Sequence, residues 1–266
     1  MRLSLYNILL MILFMLMVVW SVLYIFGTIQ WPVFPGGVGM LNLPSLGIVI
    51  GGLMVAGLIS YPATLVLQAI KTGFLVFSQS TITNDGLQKD INTIIEWLRM
   101  FRTNQSEAFK VLRQRHQNDF SGYLVSLMNT NYTADEIKEL AENQITTNYE
   151  NRMQVSRVLQ SMGNTSPAFG MLGTLFGLIV ILDSFEDAAQ LGRGLSLALM
   201  TTLYGLMFAN FVFFPLALKV KVTADKQMFR ESMLLEGVLM IRQDKPAMVI
   251  RDQLSTFIDR EYSDAA

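Results

Sequence analysis

The chain has 266 residues, of which 52% are hydrophobic and only 15% charged, whereas a soluble domain of this length carries nearer a quarter charged. The absence of cysteine excludes disulfides and thiolate metal sites, and a single histidine, His116, argues against an imidazole metal centre. A net charge of −1 gives no reason to expect nucleic acid as a partner.

Four uncharged segments are long enough to cross a bilayer, and together they predict an all-α integral membrane protein. The first covers residues 3–27. A signal peptide is the competing reading, but its apolar core would span about 7–15 residues ahead of a small-residue cleavage site. Neither feature is present, so a retained span is expected. The second runs over about residues 42–70, ahead of Lys71. Between Lys71 and Met162 the apolar residues fall at helical spacing. Leu87, Ile91, Ile94, Leu98 and Phe101 follow Asn84-Asp85, a candidate cap. A further helix opens at Thr133, with Glu136 three residues on in capping-box form, and continues through Ile137, Leu140, Ala141 and Ile145. No proline interrupts it before Pro167, so it is expected to run into the third span, about residues 163–182. The fourth span is residues 194–218, ahead of Lys219. MLLEGVLMIRQ then reads as helix, and Pro246 is placed to start a last one. His116, among charged residues, reads as a solvated surface group.

Positive charge sets the orientation. Of the 20 Lys and Arg, nine lie between Lys89 and Arg157 and eight between Lys219 and Arg260. The loop TIQWPVFPGGVGML is uncharged, and DSFEDAAQLGR has one arginine against three acids. Basic residues favour the cytoplasmic side. Both termini are therefore expected in the cytoplasm. Residues 1–70 form the first two spans, 71–162 a cytoplasmic helical domain, 163–218 the last two spans, and 219–266 cytoplasmic C-terminal helices.

Spans three and four each carry a stripe of small residues. In PAFGMLGTLFGLIVIL, Gly170, Thr174 and Gly177 share a face, with Gly173 beside them; Ala198, Thr202, Gly205 and Ala209 repeat the spacing, with Thr201 adjacent. Interior glycines cost a helix about 1 kcal/mol each in water. Close helix packing explains such stripes, and threonine oxygens could also serve an ion or ordered water. An ion path generally needs an ionisable group in the membrane, and these spans have none. A conducting chain would thus need a partner helix bearing Asp or Glu. There is no nucleophile–base pair, metal constellation or phosphate-cradling loop, so no enzymatic activity, catalytic residue, metal or cofactor is expected.

The blocks SPAFGMLGTLFGLIVIL from Ser166, ALMTTLYGLMFANFVFFPLA from Ala198 and LLEGVLMIRQDKPAMVI from Leu234 resemble the MotA/PomA flagellar stator subunits, within the MotA/TolQ/ExbB proton-channel family. SLGIVIGGLMVAGLI in the second span matches more weakly. The resemblance implies an ion-channel (A-type) subunit in the bacterial inner (cytoplasmic) membrane. Copies of it, a pentamer in the best-understood members, encircle a B-type (MotB/PomB-like) single-span subunit that supplies the ion-carrying Asp, and ion flow drives torque on a rotor protein. It further implies that Thr174, Thr201 and Thr202 line the ion path, that Gly170, Gly173, Gly177, Ala198, Gly205 and Ala209 pack around the partner helix, and that Pro167 and Pro215 frame the channel helices. Pro167 would start span three, and Pro215 would bend or end span four. The transported ion is Na⁺ or H⁺, with the extra hydroxyls inclining the reading to Na⁺. Family members present a basic pair and then glutamates to the rotor. Here EWLRMFRTNQSEAFKVLRQR keeps Arg102, has Thr103 second, and places Lys110 and Arg113 near the expected glutamates with Glu107 close by. These four charged residues are the rotor-interface candidates, and the altered charges put a standard flagellar rotor in doubt. A TolQ/ExbB-like channel subunit, the stator of a non-flagellar machine and a membrane scaffold are the alternatives. The first typically has three spans with its large cytoplasmic segment after the first.

Overall fold

A computed structural model describes residue 16 and residues 42–78, 84–115, 119–183 and 188–263. The expected first span, its outer loop and His116 thus lie outside the described residues, apart from Leu16. Every described element is a helix: α1 (Leu43–Ser60), α2 (Ala63–Ser78), α3 (Asn84–Thr103), α4 (Gln105–Arg115), α5 (Phe120–Met128), α6 (Ala134–Asp183), α7 (Ala188–Met207), a π-helical segment (Phe208–Phe213), α8 (Phe214–Arg242) and α9 (Ala247–Ser263).

The second expected span is not one helix. Asn42 Oδ1 accepts the Ser45 N–H at 3.2 Å and opens α1. Tyr61 then turns extended at φ −136° and ψ 154°. Pro62 is the reason, because a proline disfavours helical geometry in the residue before it. The helix restarts when Val66 N–H donates to Pro62 O. Leu43–Ser60 and Gly194–Arg242 are, among the described residues, the stretches long and apolar enough to cross a membrane.

The capping box at Thr133 forms as expected: Thr133 N–H donates to Glu136 Oε2 at 2.7 Å, and Glu136 N–H to Thr133 Oγ1 at 3.3 Å. From there α6 runs 50 residues without a break. Pro167 lies inside it rather than at its start. The carbonyl that Pro167 leaves without its N–H belongs to Gly163, a residue with no side chain to crowd the turn. Pro215 likewise does not end its helix. It occupies the first turn of α8, just after the wide π-helical turn in which Phe214 N–H donates to Ala209 O. Pro246 sits immediately before α9, as expected, and its carbonyl accepts the Ile250 N–H.

The chain divides into two compact units, one drawn from Met1–Ser78 and Gln154–Val220, the other from Gln79–Met153 and Lys221–Ala266. In the second, Leu87, Ile91, Ile94, Trp97 and Leu98 of α3 pack with Leu112, Leu124, Ile137, Met233, Val238 and Leu254. Each helix turns its apolar stripe inward to this core. In the first unit, Val49, Leu53, Val66, Val158, Leu159, Tyr204 and Leu216 form a smaller cluster. Much of its remaining apolar surface faces outward.

Candidate ion-path surface

The small-residue stripes of α6 and α7 close on each other. A methyl group at Gly173 would lie 2.4 Å from Thr201 Cβ, and one at Gly177 would lie 2.7 Å from Gly194 O and 2.9 Å from Ala198 Cβ. At Gly170 the nearest atoms would be Thr201 O at 3.0 Å and Thr202 Cα at 3.2 Å, and at Gly205 the nearest would be Ser166 O at 2.9 Å. Backbone thus lies against backbone, and Ser166 Oγ locks the seam by donating to Gly205 O at 2.8 Å. These residues are expected to pack around a partner helix, and within the chain they pack helix against helix. Gly170, Gly173, Gly177, Ala198 and Gly205 are occupied by their own chain's neighbouring helix. Ala209 is fully buried and accepts the amide that closes the π turn.

The three threonines separate into two environments. Thr201 is 0% exposed, sits under Gly173, and donates to Leu197 O at 3.1 Å and Ala198 O at 3.0 Å. Thr174 and Thr202 are only partly buried, and their hydroxyls donate to Met171 O at 2.6 Å and Ala198 O at 3.4 Å. A hydroxyl whose hydrogen is spent on its own helix still has lone pairs to offer. Thr174 and Thr202 therefore present acceptor oxygens beside the seam, whereas the oxygen of Thr201 is enclosed within the subunit.

Other polar groups in this unit escaped the sequence reading. Ser45 of α1 donates to Leu197 O at 3.5 Å, the carbonyl that Thr201 also uses, and Asn42 N–H donates to Tyr204 Oη at 3.1 Å. Ser156 Oγ donates to Ala217 O at 2.8 Å. These buried hydroxyls bond carbonyls of the α7–π–α8 run from α1 and α6, supplying the directional contacts that apolar side chains in lipid cannot. Asn210 is exposed within the π segment, its Nδ2 donating to Leu206 O at 3.0 Å. The signal for these groups was a hydroxyl or amide in an uncharged span, which the emphasis on glycine and threonine stripes passed over. Around them Met171, Leu172, Leu175, Leu178, Ile179, Leu199, Leu203 and Phe211 face outward.

The charged rotor-interface candidates are partly committed elsewhere. Arg102 Nη2 donates to Asp244 Oδ1 at 2.8 Å, and to Asp244 O and Lys245 O at 3.3 Å each. It thereby holds the turn between α8 and α9, where Asp244 takes a left-handed φ of 54°. Glu107 N–H donates to Asn104 Oδ1 at 3.4 Å while Asn104 Nδ2 donates to Glu107 Oε2 at 3.3 Å, a reciprocal cap for α4. Lys110 is exposed, and Arg113 stacks its guanidinium 5.8 Å from the centre of the Phe109 ring. Among the described residues no three His, Cys, Asp or Glu side chains gather as a metal site.

This arrangement has relatives. The family model of the MotA/TolQ/ExbB proton channel family matches residues 105–233. The chain is 28% identical over 226 residues to the chemotaxis protein PomA of Vibrio alginolyticus, covering 84% of this chain and 87% of that one. It is also 28% identical over 242 residues to the uncharacterised protein YtxD of Bacillus subtilis (strain 168), covering 91% and 88%. Its fold superposes on the solved C. jejuni MotAB structure with a TM-score of 0.74 at 23% identity, over 96% of this chain and 95% of that one. The chain is thus similar to the MotA/TolQ/ExbB proton channel family over residues 105–233, and to PomA and YtxD over most of its length.

Proposed function

We propose that the chain is the ion-channel (A-type) subunit of a rotary motor stator, converting inward H⁺ or Na⁺ flow into torque on a rotor. One observation carries this reading beyond the family. The paired spans offer threonine oxygens beside a backbone-tight seam, yet they contain no Asp, Glu, Lys or Arg. The carboxylate that carries the ion then comes from a second polypeptide, a single-span B-type subunit bearing Asp, as the resemblance to a MotAB complex supports. The chain crosses the bacterial inner membrane four times with both termini inside, and copies of it, a pentamer in this reading, surround the partner helix. Residues 71–162 and 219–266 form its cytoplasmic part. Its threonines favour Na⁺, which must exchange water oxygens for protein oxygens, whereas a proton needs only a relay.

Within this reading Thr174 and Thr202 touch the ion, and Thr201 acts from behind by setting the seam. Asn210 adds a polar group facing outward on the same span. The glycines act by bringing α6 and α7 close enough to form one thin wall. Because Arg102 and Glu107 are spent on internal caps, Lys110 and Arg113 set the sign of the surface offered to the rotor, which calls for an acidic counterpart.

The test is motility against external sodium at fixed pH and membrane potential, in cells whose only stator is this chain with its cognate B-type partner. Speed that rises with sodium and saturates supports a Na⁺ path, and Thr174→Ala should then raise the half-saturating sodium concentration. Speed indifferent to sodium but lost on adding a protonophore makes it a proton motor. Absence of rotation under both gradients would sink the stator reading.

A further inference from the structure

Two adjacent residues of α8 form ion pairs with two different helices of the same unit. Arg230 donates to Asp90 of α3 through Nε, and through Nη2 at 2.7 Å, a two-point fork that fixes orientation as well as distance. Its neighbour Glu231 accepts from Arg152 Nη2 of α6 at 2.6 Å. Asp90 and Glu231 are nearly enclosed, with side chains only 14% and 8% exposed. The hydrogen bond from Arg230 to Asp90 also raises the guanidinium's affinity for its proton.

The second pair is made at a cost. Arg152 Nη1 and Glu231 Oε2 are both buried with no hydrogen-bond partner among the described residues. Buried polar atoms are normally satisfied, and apolar replacement of a buried ion pair is often neutral or stabilising. Stability therefore does not account for it, whereas holding helices in one fixed register does. The helices concerned are informative. Among the described helices α6 and α8 are the ones that contribute residues to both compact units, and α3, with Arg102 in its last turn, ends at Thr103 just ahead of α4.

We propose that Asp90–Arg230 and Glu231–Arg152 form a clamp through which α6 and α8 pass mechanical load to α3. The clamp transmits force and takes no part in ion passage. This rests on the stator reading above.

The test uses the full chain with its B-type partner as the sole stator, and compares wild type with Asp90→Asn and with the double variant Arg152→Met/Glu231→Leu. The double variant leaves no lone buried charge, so its folding should survive. Three quantities are read: rotation torque under high load, rotation speed at low load with ion influx, and thermal unfolding of the purified complex. The clamp predicts a several-fold loss of high-load torque in both variants. Low-load speed and ion influx should stay at wild-type values in both, and the unfolding temperature should stay at the wild-type value in the double variant. An unchanged torque–speed curve in the double variant overturns the clamp. So does a parallel fall of torque, ion influx and unfolding temperature in both variants, which makes the pairs a folding feature. A wild-type complex that turns nothing overturns the stator reading itself and is told apart by that control.

Discussion

The two halves of α6 are one continuous helix built on opposite rules. Near its start, Ile137, Ala141 and Ile145 are buried while Lys138, Glu139 and Glu142 face water. In its last third, Gly170, Gly173 and Gly177 are buried while Met171, Leu172, Leu175, Leu178, Ile179 and Leu182 face outward. Water drives large apolar side chains together. Lipid does not, since its tails are as apolar as leucine, and there helices associate through close contact and hydrogen bonds. The first half therefore gains stability from the size of what it buries, the second from how little stands between backbones. Each half should break under the change the other tolerates.

The largest effect is expected at Gly177. A side chain there meets Gly194 O at 2.7 Å and Ala198 N at 2.9 Å, backbone atoms that move only if a whole helix moves. Gly177→Leu should abolish the folded, membrane-assembled protein. Gly237 of the other unit is also crowded, by Ile94 Cδ1 at 2.7 Å and Cγ2 at 2.9 Å, but these are side-chain rather than backbone atoms. Gly237→Ala should cost about 1 kcal/mol, at the mild end of overpacking. Thermal unfolding in detergent compares them, and equal losses for Gly177→Ala and Gly237→Ala would undo the distinction.

The reciprocal experiment shortens large side chains. Leu98 is 2% exposed in the α3 core, and Leu98→Ala should cost about 2–5 kcal/mol. Leu175 is 56% exposed, and Leu175→Ala should leave the unfolding temperature in detergent unchanged. A loss at Leu175 matching that at Leu98 would mean that this face is packed against protein. Smaller again is Ser166→Ala, which removes the hydroxyl that donates to Gly205 O and should cost about 1 kcal/mol. Ser166→Thr should recover part of it only if the seam has room, so a full recovery would argue against the close contact drawn here.

How far the sequence could be read differs between the same two regions. Where water is the solvent, Leu87, Ile91, Ile94 and Leu98 announced their buried face by periodicity, and Thr133 with Glu136 announced a helix start through purely local chemistry. In the apolar spans charge gives no such contrast, because inward and outward residues are alike uncharged. Pro62 could have signalled the break between α1 and α2, but hydropathy is blind to a proline in an uncharged run. Pro167 and Pro215 carried the opposite message, yet long-range packing holds the helix through both. The stripes were legible as stripes, but not their occupant: a glycine face shows that something lies close without showing which helix. Arg102 read as a surface charge because its acceptors on Asp244 and Lys245 lie far along the chain.

The smallest effect tests the purely local end of the comparison. Thr133 N–H and then Thr133 Oγ1 donate to the Glu136 carboxylate, which holds it below the usual glutamate range, with burial opposing only weakly. A carboxyl whose folded pKa is depressed binds its proton more weakly in the folded state than in the unfolded one. Its contribution is thus fully present above the ordinary glutamate pKa, about 4.3, and is lost as pH falls below that through the folded value. Glu136→Gln should therefore unfold slightly earlier than wild type at pH 7, and the gap should close as the pH is lowered into the acid range. Hydrogen exchange at Ala134–Glu136 should follow the same course, since these amides open the first turn of α6. A gap that stays constant with pH would assign the effect to side-chain shape, and one that widens in acid would reverse the sign of the linkage. Nothing in the glycine-seamed part of the helix should respond, because the described contacts there are made by glycine, alanine, serine and threonine.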